Sequence, residues 1–443
     1  MKISFILPAI GKKPGQPYIG TWKMEPLTIA VLQSLTPKDV ETELFDDRIE
    51  LIDFDTETDL VAITVETYTA RRSYQIAEAF RNRGIPVVMG GYHVTLIPEE
   101  AAVYADSLIL GNAEDVWLQV VEDVRRRQLK KSYRGKVTYS HRPPDKSIFS
   151  GKKYLPISLV ETGRGCGHAC EFCAISSYYG CQYHRRPLDF ILSDIRASDH
   201  RYHFLVDDNL VADMDHAKNL FKAMKPLKIK WSGQGTLSMA RDPELLKAMK
   251  ASGCELILIG FESLEEASLR QMNKSWSQAV GEVDELVDRI HDAGIGIYAT
   301  FVHGYDGDTP ETLEKTVAFA RRHRFYTAAF NHLLPFPGTD LYQRLKGENR
   351  LLYDPWWLEE NYHYGEVAFE PKYFSPGELS RHCRNARKEF ASLPTVLRRG
   401  FSSMKRSSPM VWSMFWAMNL RLGEEIDEKM NVPLGRNLDE LPK

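Results

Sequence analysis

The chain has 443 residues, of which 43% are hydrophobic and 26% are charged, and its formal net charge is −3. This composition supports large buried cores and argues against a disordered chain or a dedicated nucleic-acid-binding surface. No apolar run reaches the roughly 18–20 residues that span a bilayer. Because the first residues turn polar too soon for a signal peptide, the six cysteines predict a reducing, cytoplasmic location.

Residues 1–134 alternate β-rich apolar runs with helical patterns. Strands are predicted at 3–7, 40–45, 60–64, 87–89 and 107–110, and helices at 26–35, 69–82 and 114–126. Strict alternation favours an α/β domain in which helices cover both faces of a parallel sheet. Such sheets bind ligands at the carboxyl ends of their strands.

Three polar or glycine-bearing loops follow strands of this sheet, at 65–69, 90–95 and 111–114. Their glycines would let a flat or phosphate-bearing ligand approach the backbone closely. The candidate ligand-binding residues in these loops are Thr67, Tyr68, Gly90, Gly91, His93, Thr95, Gly111 and Glu114. A loop hydrogen bond is the alternative role for His93, and a structural or gating module is the alternative for the domain.

A polar linker at 135–153 leads into a second domain at 154–347. Six strands are predicted there, at 157–161, 203–206, 229–234, 255–260, 295–302 and 328–334, with helices such as 243–251 and 280–293 between them. Repeated strand–helix units favour an incomplete (β/α) barrel. The active site of such a barrel collects at the carboxyl ends of its strands.

Cys166, Cys170 and Cys173 form a C-x3-C-x2-C triplet directly after the first of these strands. Three nearby thiolates can hold one metal centre, and an iron–sulfur cube held by only three cysteines keeps one iron open. Zinc is the alternative, with His168 or His184 as the fourth ligand, although no second C-x2-C pair follows. A disulfide is disfavoured in a reducing compartment.

Polar residues also end the other strands of the barrel. Asp207, Asp208 and Asn209 are possible substrate contacts, with helix capping as the alternative. Gln234, Glu262 and Ser263 are candidate cofactor contacts, and Ser263 has helix capping as its alternative. His303 and His332 are possible substrate or acid–base groups, although a hydrogen-bonded wall is favoured for each.

The ordered motifs resemble the radical S-adenosylmethionine (SAM) superfamily, in particular its BchE-like class with a cobalamin-binding domain. The resemblance covers roughly residues 1–345 and includes the closing Pro335–Phe336–Pro337–Gly338–Thr339 motif. It implies a Rossmann-like cobalamin-binding-type domain, a partial (β/α)6 barrel and a helical region at 348–443. The D-x-H-x-x-G motif of many cobalamin domains is absent, so His93 is not assigned to cobalt.

The resemblance also implies the cofactors and their ligands. The three cysteines would hold a 4Fe-4S cluster whose open iron binds SAM, and the three N-terminal loops would hold cobalamin. The residues that it places near SAM are Phe172, Gln234, Glu262, Ser263 and Gly304.

The implied reaction is reductive cleavage of SAM to a 5′-deoxyadenosyl radical, followed by cobalamin-dependent methyl transfer to an unactivated carbon. Cyclisation, rearrangement or transfer of another SAM fragment is the alternative, and a metal or cobalamin carrier is the non-enzymatic one. The implied partners are a small-molecule substrate and a flavodoxin- or ferredoxin-type electron donor, with no nucleic acid.

The last region, 348–443, is predicted to be helical and aromatic. It could cover the open side of the barrel. Its run at 409–418 is flanked by Lys405 and Arg406, so contact with a membrane surface is an alternative to helix packing, which is favoured.

Overall fold

In the computed structural model, which describes residues 1–280, 282–404 and 407–438, the N-terminal part forms a six-stranded parallel sheet. Its strands are β1 Lys2–Leu7, β2 Glu41–Asp46, β3 Leu60–Thr64, β4 Val87–Gly90, β5 Ser107–Leu110 and β6 Ser132–Arg134. Their order is β2-β1-β3-β4-β5-β6. The five predicted strands are confirmed. The edge strand β6 was not predicted, because only its central Tyr133 is buried.

A second six-stranded sheet forms the partial barrel. Its region contains β7 Ser158–Val160, β8 Gly163–Gly165, β9 Tyr183–Arg185, β10 Tyr202–Leu205, β11 Lys230–Gly235, β12 Cys254–Glu262, β13 Gly296–His303 and β14 Thr327–His332. The parallel order is β14-β13-β12-β11-β10-β7, which confirms the six predicted strands, while β8 and β9 form a separate antiparallel hairpin.

Helices cover both sheets and make up most of the C-terminal region. They are α1 Leu27–Leu35, α2 Ala70–Asn82, α3 Tyr92–Leu96, α4 Pro98–Tyr104, α5 Trp117–Arg125, α6 Ala174–Tyr179, α7 Leu188–Arg196, α8 Met214–Met224, α9 Pro243–Ala251, α10 Glu266–Gln271, α11 Val283–Asp292, α12 Pro310–Arg322, α13 Asp340–Gly347, α14 Pro376–Phe390, α15 Leu393–Ser403, α16 Pro409–Asn419 and α17 Leu422–Lys429. The helix predicted at 280–293 begins only at Val283, and residue 281 lies outside the described residues.

The burial of β13 shows which way the barrel faces. Ile297, Ala299 and Phe301 are fully buried and belong to the core beneath the helices. Tyr298 and Thr300, which alternate with them, are only half-buried. Because successive side chains of a strand point to opposite faces, the half-buried set faces the space that the barrel encloses.

The aromatic residues of the C-terminal region were expected to cover the open side of the barrel, but they pack elsewhere. Trp356, Trp357 and Tyr362 are buried with the core of the first sheet. Trp357 donates to Glu100 of α4 at 3.0 Å. These residues therefore join the region to the N-terminal sheet and do not cover the open barrel. Residues 363–364 and 432–433 add a two-residue antiparallel pair, β15 and β16.

No helix among the described residues is long and apolar enough to cross a membrane. Lys405 and Arg406, which flank the run now seen as α16, lie outside the described residues. The domain boundaries at 134, 153 and 347 stay predictions.

Candidate active site

The three triplet cysteines lie between β8 and α6, beyond the carboxyl end of β7. All three are free and partly buried, and Cys173 is the N-cap residue of α6. Burial raises the pKa of the Cys170 thiol to about 12 and also raises the pKa of Cys166. A metal that binds these sulfurs would have to displace their protons. Among the described residues, no three His, Cys, Asp or Glu side chains converge on a single ion.

The acidic segment after β10 holds the cysteine loop in place. Oδ1 of Asp207 accepts the backbone N–H of Thr162 at 2.7 Å, and Oδ2 of Asp208 accepts the N–H of Gly165 at 2.9 Å. Nδ2 of Asn209 donates to Sγ of Cys166 at 3.7 Å. All three side chains therefore contact the cysteine loop.

This arrangement corrects two interpretations of 207–209. Asp207 and Asn209 are about 1–2% exposed and already bonded within the protein, so neither is available to a substrate. Neither Asp208 nor Asn209 caps a helix, because Asp213 is the N-cap residue of α8. Burial raises the pKa of Asp207 to about 8 and that of Asp208 to about 6.

Glu262, at the end of β12, carries an unusual backbone conformation and a buried ion pair. Its φ angle is 62°, a left-handed value that is uncommon outside glycine. Its Oε1 lies 2.9 Å from Nζ of Lys274, which also donates to the Gly260 carbonyl at 2.8 Å. A Cβ on Gly260 would stand 2.1 Å from the same Oε1. Gly260 therefore leaves room for the carboxylate.

The Lys274 segment also contacts the cysteine loop. Nδ2 of Asn273 donates to the carbonyl of Ala169 at 2.8 Å. The ring of Trp276 stacks on His168 with 3.6 Å between centroids. Sequence reasoning missed Lys274, since a lone lysine after a helix carries no signal by itself.

Three further predicted SAM contacts, Gln234, Ser263 and Phe172, lie in different surroundings. Gln234 is half-buried near the carboxyl end of β11, and its side chain belongs to the set that faces the barrel interior. Ser263 accepts the N–H of Glu265 at 3.0 Å, and it is not the N-cap of α10, which is Glu265 itself. Phe172 packs in an apolar cluster with Leu333 and Tyr305.

Gly304 does not face the open barrel. Its φ angle is 120°, and a Cβ there would stand 2.8 Å from Leu379 of α14. Its N–H donates to Asp308 at 2.8 Å. The glycine is therefore required by a tight turn packed against a helix, and its predicted role near SAM is not supported by this geometry.

Both candidate acid–base histidines are buried. Neither ring nitrogen of His303 has a hydrogen-bond partner among the described residues, and burial lowers its pKa to about 3. Nδ1 of His332 lies 3.1 Å from the Leu333 carbonyl, and burial lowers its pKa to about 4. Neither histidine carries a positive charge near neutral pH.

A cavity of about 350 Å³ opens at the carboxyl ends of β3, β4 and β5, between the first sheet and the cysteine loop. Its inner part is apolar and lies between the sheet and helices α1 and α5. Gly90, Gly91, Gly111 and Glu114 line it, as predicted residues, and so do Glu66, Tyr92, Arg164, Tyr178 and Tyr179.

Two of the glycines that line the cavity, Gly91 and Gly111, are needed by the local backbone structure. Gly91 and Gly111 have φ angles of 108° and 81°. A Cβ at Gly91 would stand 2.6 Å from the Val65 carbonyl, and one at Gly111 would stand 2.5 Å from the Gly135 carbonyl. Both glycines are therefore required by close backbone packing, whether or not a ligand is near.

Thr67, Tyr68, His93 and Thr95 do not line the cavity. His93 is fully buried, with Thr67 3.2 Å from Nδ1 and Tyr74 3.1 Å from Nε2. Thr95 accepts the Gly111 N–H at 3.0 Å. Tyr68 packs on Tyr364, Trp356 and Phe336. These residues connect the loops to each other and to the C-terminal region, and their contact with a ligand stays a prediction.

Arg164, two residues before Cys166, joins the two sheets. Its guanidinium pairs with Glu114, in the loop after β5, and with Glu161 at 2.7 Å. It also lies over the ring of Tyr139 in the linker, 4.9 Å from the centroid. Arg164 is 8% exposed. Sequence reasoning missed it, because its partner lies in the other domain.

Arg387 of α14 is hydrogen-bonded to the edge strand β14 of the barrel. Its Nε donates to the Phe330 carbonyl at 2.8 Å, and its Nη2 donates to Asn331 at 2.7 Å. No carboxylate of the described residues pairs with it. A cation therefore stands at the edge of the barrel interior.

With this geometry in view, comparison with known proteins identifies the barrel. Residues 160–320 match the family model described as the radical SAM superfamily, so the chain carries a radical SAM domain and the predicted resemblance is confirmed. The bacteriochlorophyllide d C-12(1)-methyltransferase of Chlorobaculum tepidum is 29% identical over 408 residues, which cover 88% of this chain and 86% of that protein. The C-8(2)-methyltransferase of the same organism is 28% identical, over 74% and 78% of the two chains.

A solved structure shows the same overall fold. The radical S-adenosylmethionine methyltransferase TsrM of Kitasatospora setae, determined with cobalamin and a [4Fe-4S] cluster bound, superposes with a TM-score of 0.68 at 15% identity. The match covers 96% of this chain and 99% of that one. The N-terminal Rossmann-like domain, the radical SAM barrel and the helical C-terminal region are thus confirmed as the fold.

Proposed function

We propose that this chain, through its radical SAM domain, is an enzyme that methylates an unactivated carbon of a small-molecule substrate with the help of cobalamin. The observation that carries the proposal is that residues on either side of the cysteine triplet, Arg164, Tyr178 and Tyr179, line a cavity at the carboxyl ends of the Rossmann-like sheet. A cluster on the triplet would then lie beside a second cofactor bound in that cavity. The relatives' names support methyl transfer as the outcome.

The residues around the triplet fit a 4Fe-4S cluster. Three free cysteines on one loop are the expected donors, and they leave one iron open for SAM. Asn209 supplies an N–H to Cys166, and such hydrogen bonds tune a cluster's reduction potential. Once bound, the cluster would supply the electron that splits SAM into methionine and a 5′-deoxyadenosyl radical.

SAM is proposed to lie between the triplet and the carboxyl ends of β11 and β12. Glu262 would accept from its ammonium or ribose groups, since charged hydrogen bonds are strong in a partly buried site. Lys274 holds that carboxylate in its left-handed position. Gln234, which faces the barrel interior, is the further proposed contact.

The residues around the cavity fit a cobalamin. Its apolar inner part, with Leu32, Ile109 and Trp117, suits a flat aromatic base, and its mouth reaches Tyr178 and Tyr179 of α6, directly after the cysteines. Among the described residues, no histidine lines the cavity. The ion pair between Arg164 and Glu114 would fix the position of the proposed cluster site relative to the proposed cobalamin site.

The substrate is proposed to bind in the barrel interior, which keeps the reacting carbon away from bulk water. His303 lies on the same strand face as Phe301, and His332 on that of Phe330, so neither histidine is proposed to reach a substrate in the interior. Burial also lowers the pKa of both. The electron donor is proposed to be a flavodoxin or ferredoxin that reaches the cluster from outside.

The proposal is tested on protein purified and reconstituted without oxygen. Iron, sulfide and cobalt are measured, and turnover with SAM and a reductant is analysed for 5′-deoxyadenosine and S-adenosylhomocysteine. We expect iron, sulfide and cobalt in the protein and both nucleosides with a substrate present. Cys166→Ala should abolish the cluster and 5′-deoxyadenosine, whereas Cys181→Ala, at an exposed cysteine outside the triplet, should leave both intact.

Three results would contradict parts of the proposal. Zinc in place of iron would reject the radical mechanism. 5′-Deoxyadenosine without S-adenosylhomocysteine under any condition would reject methylation and favour cyclisation, rearrangement or another transfer. A protein that binds cobalamin but does not cleave SAM would be a carrier.

A further inference from the structure

Helix α15 exposes an apolar stripe to solvent. Leu393, Leu397 and Phe401 are 59%, 41% and 63% exposed. They are spaced four residues apart, which places them on one face of the helix. Met404, just beyond the helix, is 52% exposed and extends the stripe. A surface helix normally turns such a face toward the core.

The opposite face of α15 is firmly attached, so the stripe is a stable feature of the surface. Arg399 is 1% exposed and donates to the Tyr326 carbonyl at 2.8 Å and to Asn419 at 2.9 Å. Val396 packs with Tyr326 and Phe415 in a buried cluster. The helix is therefore anchored to the barrel by one face and leaves the other unpartnered.

The neighbouring helix α16 continues the apolar surface. Phe401 meets Trp416 with 6.1 Å between ring centroids. Met410, Met418 and Leu420 are also exposed. Of the thirteen large hydrophobic side chains that are exposed in the described part of the chain, seven lie between residues 393 and 420. Such clustering marks an interaction surface, since scattered exposed apolar residues are ordinary.

The charge around this surface has one sign. Residues 390–423 contain no aspartate or glutamate, although charged acidic residues are common elsewhere in the chain. The same segment contains five basic residues, of which Arg399 is buried and the others are Arg398, Lys405, Arg406 and Arg421. Arg398 and Arg421 are exposed beside the apolar side chains.

We propose that the outer face of α15, together with the exposed side chains of Met410, Met418 and Leu420 in and next to α16, docks on an anionic lipid surface. An apolar stripe bordered by cations and free of acids is the pattern of a helix that lies in the membrane interface. Anionic lipid headgroups attract the basic border, while the apolar side chains enter the boundary of the acyl region. A second copy of the chain fits less well, because two such surfaces would bring their cationic borders together.

The test is co-sedimentation of the full-length protein with phosphatidylcholine vesicles, made with or without phosphatidylglycerol. We expect sedimentation with the anionic vesicles, with weaker binding at high salt because exposed charges are screened. The paired change Leu397→Ser and Phe401→Ser should reduce binding by at least about tenfold. The matched control pairs Leu51→Ser with Val103→Ser, which are 74% and 67% exposed on the N-terminal domain, and should bind like the wild type.

The changed side chains are on the surface, so circular dichroism and SAM cleavage should match the wild type in both variants. Equal sedimentation of the wild type and the α15 variant would overturn the proposal. Concentration-dependent dimerisation that disappears in the α15 variant, without vesicle binding, would overturn it in favour of a second copy as the occupant.

Discussion

Asp207 is joined to Thr162 through both of its carboxyl oxygens. Oδ1 accepts the backbone N–H of Thr162, and Oδ2 lies 2.7 Å from its hydroxyl. The pair connects the end of β10 to the residue that begins the cysteine loop, four positions before Cys166. The geometry of the cysteine loop thus depends on a buried carboxyl group that follows the neighbouring strand.

Replacement of Asp207 should change how stability depends on pH. Burial raises its folded-state pKa to about 8, above its usual 3.8, so the folded state holds a proton that the unfolded state releases between these values. The free energy of unfolding should therefore fall as pH rises through this range, by at most about 1.4 kcal/mol per pH unit.

Asp207→Asn should remove that slope, because an amide keeps one acceptor and one donor for Thr162 without a titration. Asp207→Ala should remove the slope as well, and it should be less stable than Asp207→Asn by about 1–3 kcal/mol at every pH, since the Thr162 groups lose their partner. Urea unfolding of the cluster-free protein between about pH 5 and about pH 8 measures both effects. A slope in Asp207→Asn equal to that of the wild type would contradict the assignment.

Breaking the Arg164–Glu114 pair should destabilise the chain and weaken binding in the cavity that is proposed to hold cobalamin. Arg164→Met leaves two partly buried carboxylates without their cation, which should cost about 1–3 kcal/mol. Glu114→Gln should cost less, because Arg164 keeps its bond to Glu161 at 2.7 Å. Thermal unfolding and cobalamin binding by equilibrium dialysis are the measurements. The two changes combined should cost less than their sum, and strict additivity would show that the pair is not coupled.

Gly260→Ala should weaken SAM binding while the fold is kept. The new Cβ would stand 2.1 Å from Oε1 of Glu262 and would displace the carboxylate that is proposed to contact SAM. Gly260 has no positive φ angle, so alanine is compatible with its backbone. We expect a SAM dissociation constant raised about tenfold or more by calorimetry on reconstituted protein, equivalent to about 1.4 kcal/mol.

Gly347→Ala is the matched control, because a Cβ there meets nothing within 4 Å. Its SAM affinity should equal that of the wild type. Unchanged affinity in Gly260→Ala would remove Glu262 from the proposed SAM site.

His303→Leu should make the protein more resistant to acid. Because burial lowers its folded-state pKa to about 3, the unfolded state binds the proton more tightly than the folded state does. His303 therefore lowers the free energy of unfolding as pH falls from about 6.5 toward 3, by at most about 1.4 kcal/mol per pH unit.

Leucine at 303 should remove this penalty and leave no unpaired ring nitrogen in the core. Urea unfolding at about pH 7 and about pH 4.5 measures the difference between variant and wild type. An identical loss of stability in both proteins at the lower pH would show that His303 does not titrate as its burial requires.

Local patterns were sufficient for the elements and for the choice of the cysteine triplet as the candidate cluster ligands. Apolar periodicity gave eleven strands close to their observed positions, because a buried strand requires an apolar run wherever it lies in the sheet. The predicted helix at 243–251 coincides with α9, whose start is marked by Asp242 and Pro243. The cysteine triplet needed only its spacing, since one short loop carries all three donors. Polar β6 carried no such signal.

The partners of the polar residues at the strand ends were decided by the tertiary structure. Asp207 meets Thr162 across 45 positions of sequence, and Arg164 meets Glu114 across 50. Parallel strands bring their carboxyl ends together regardless of sequence distance, so no local pattern identifies these pairs. The sequence by itself therefore determined which residues can hold a cluster, whereas only the fold decided that Asp207 bonds to the cysteine loop and that His93 is buried against Thr67 and Tyr74.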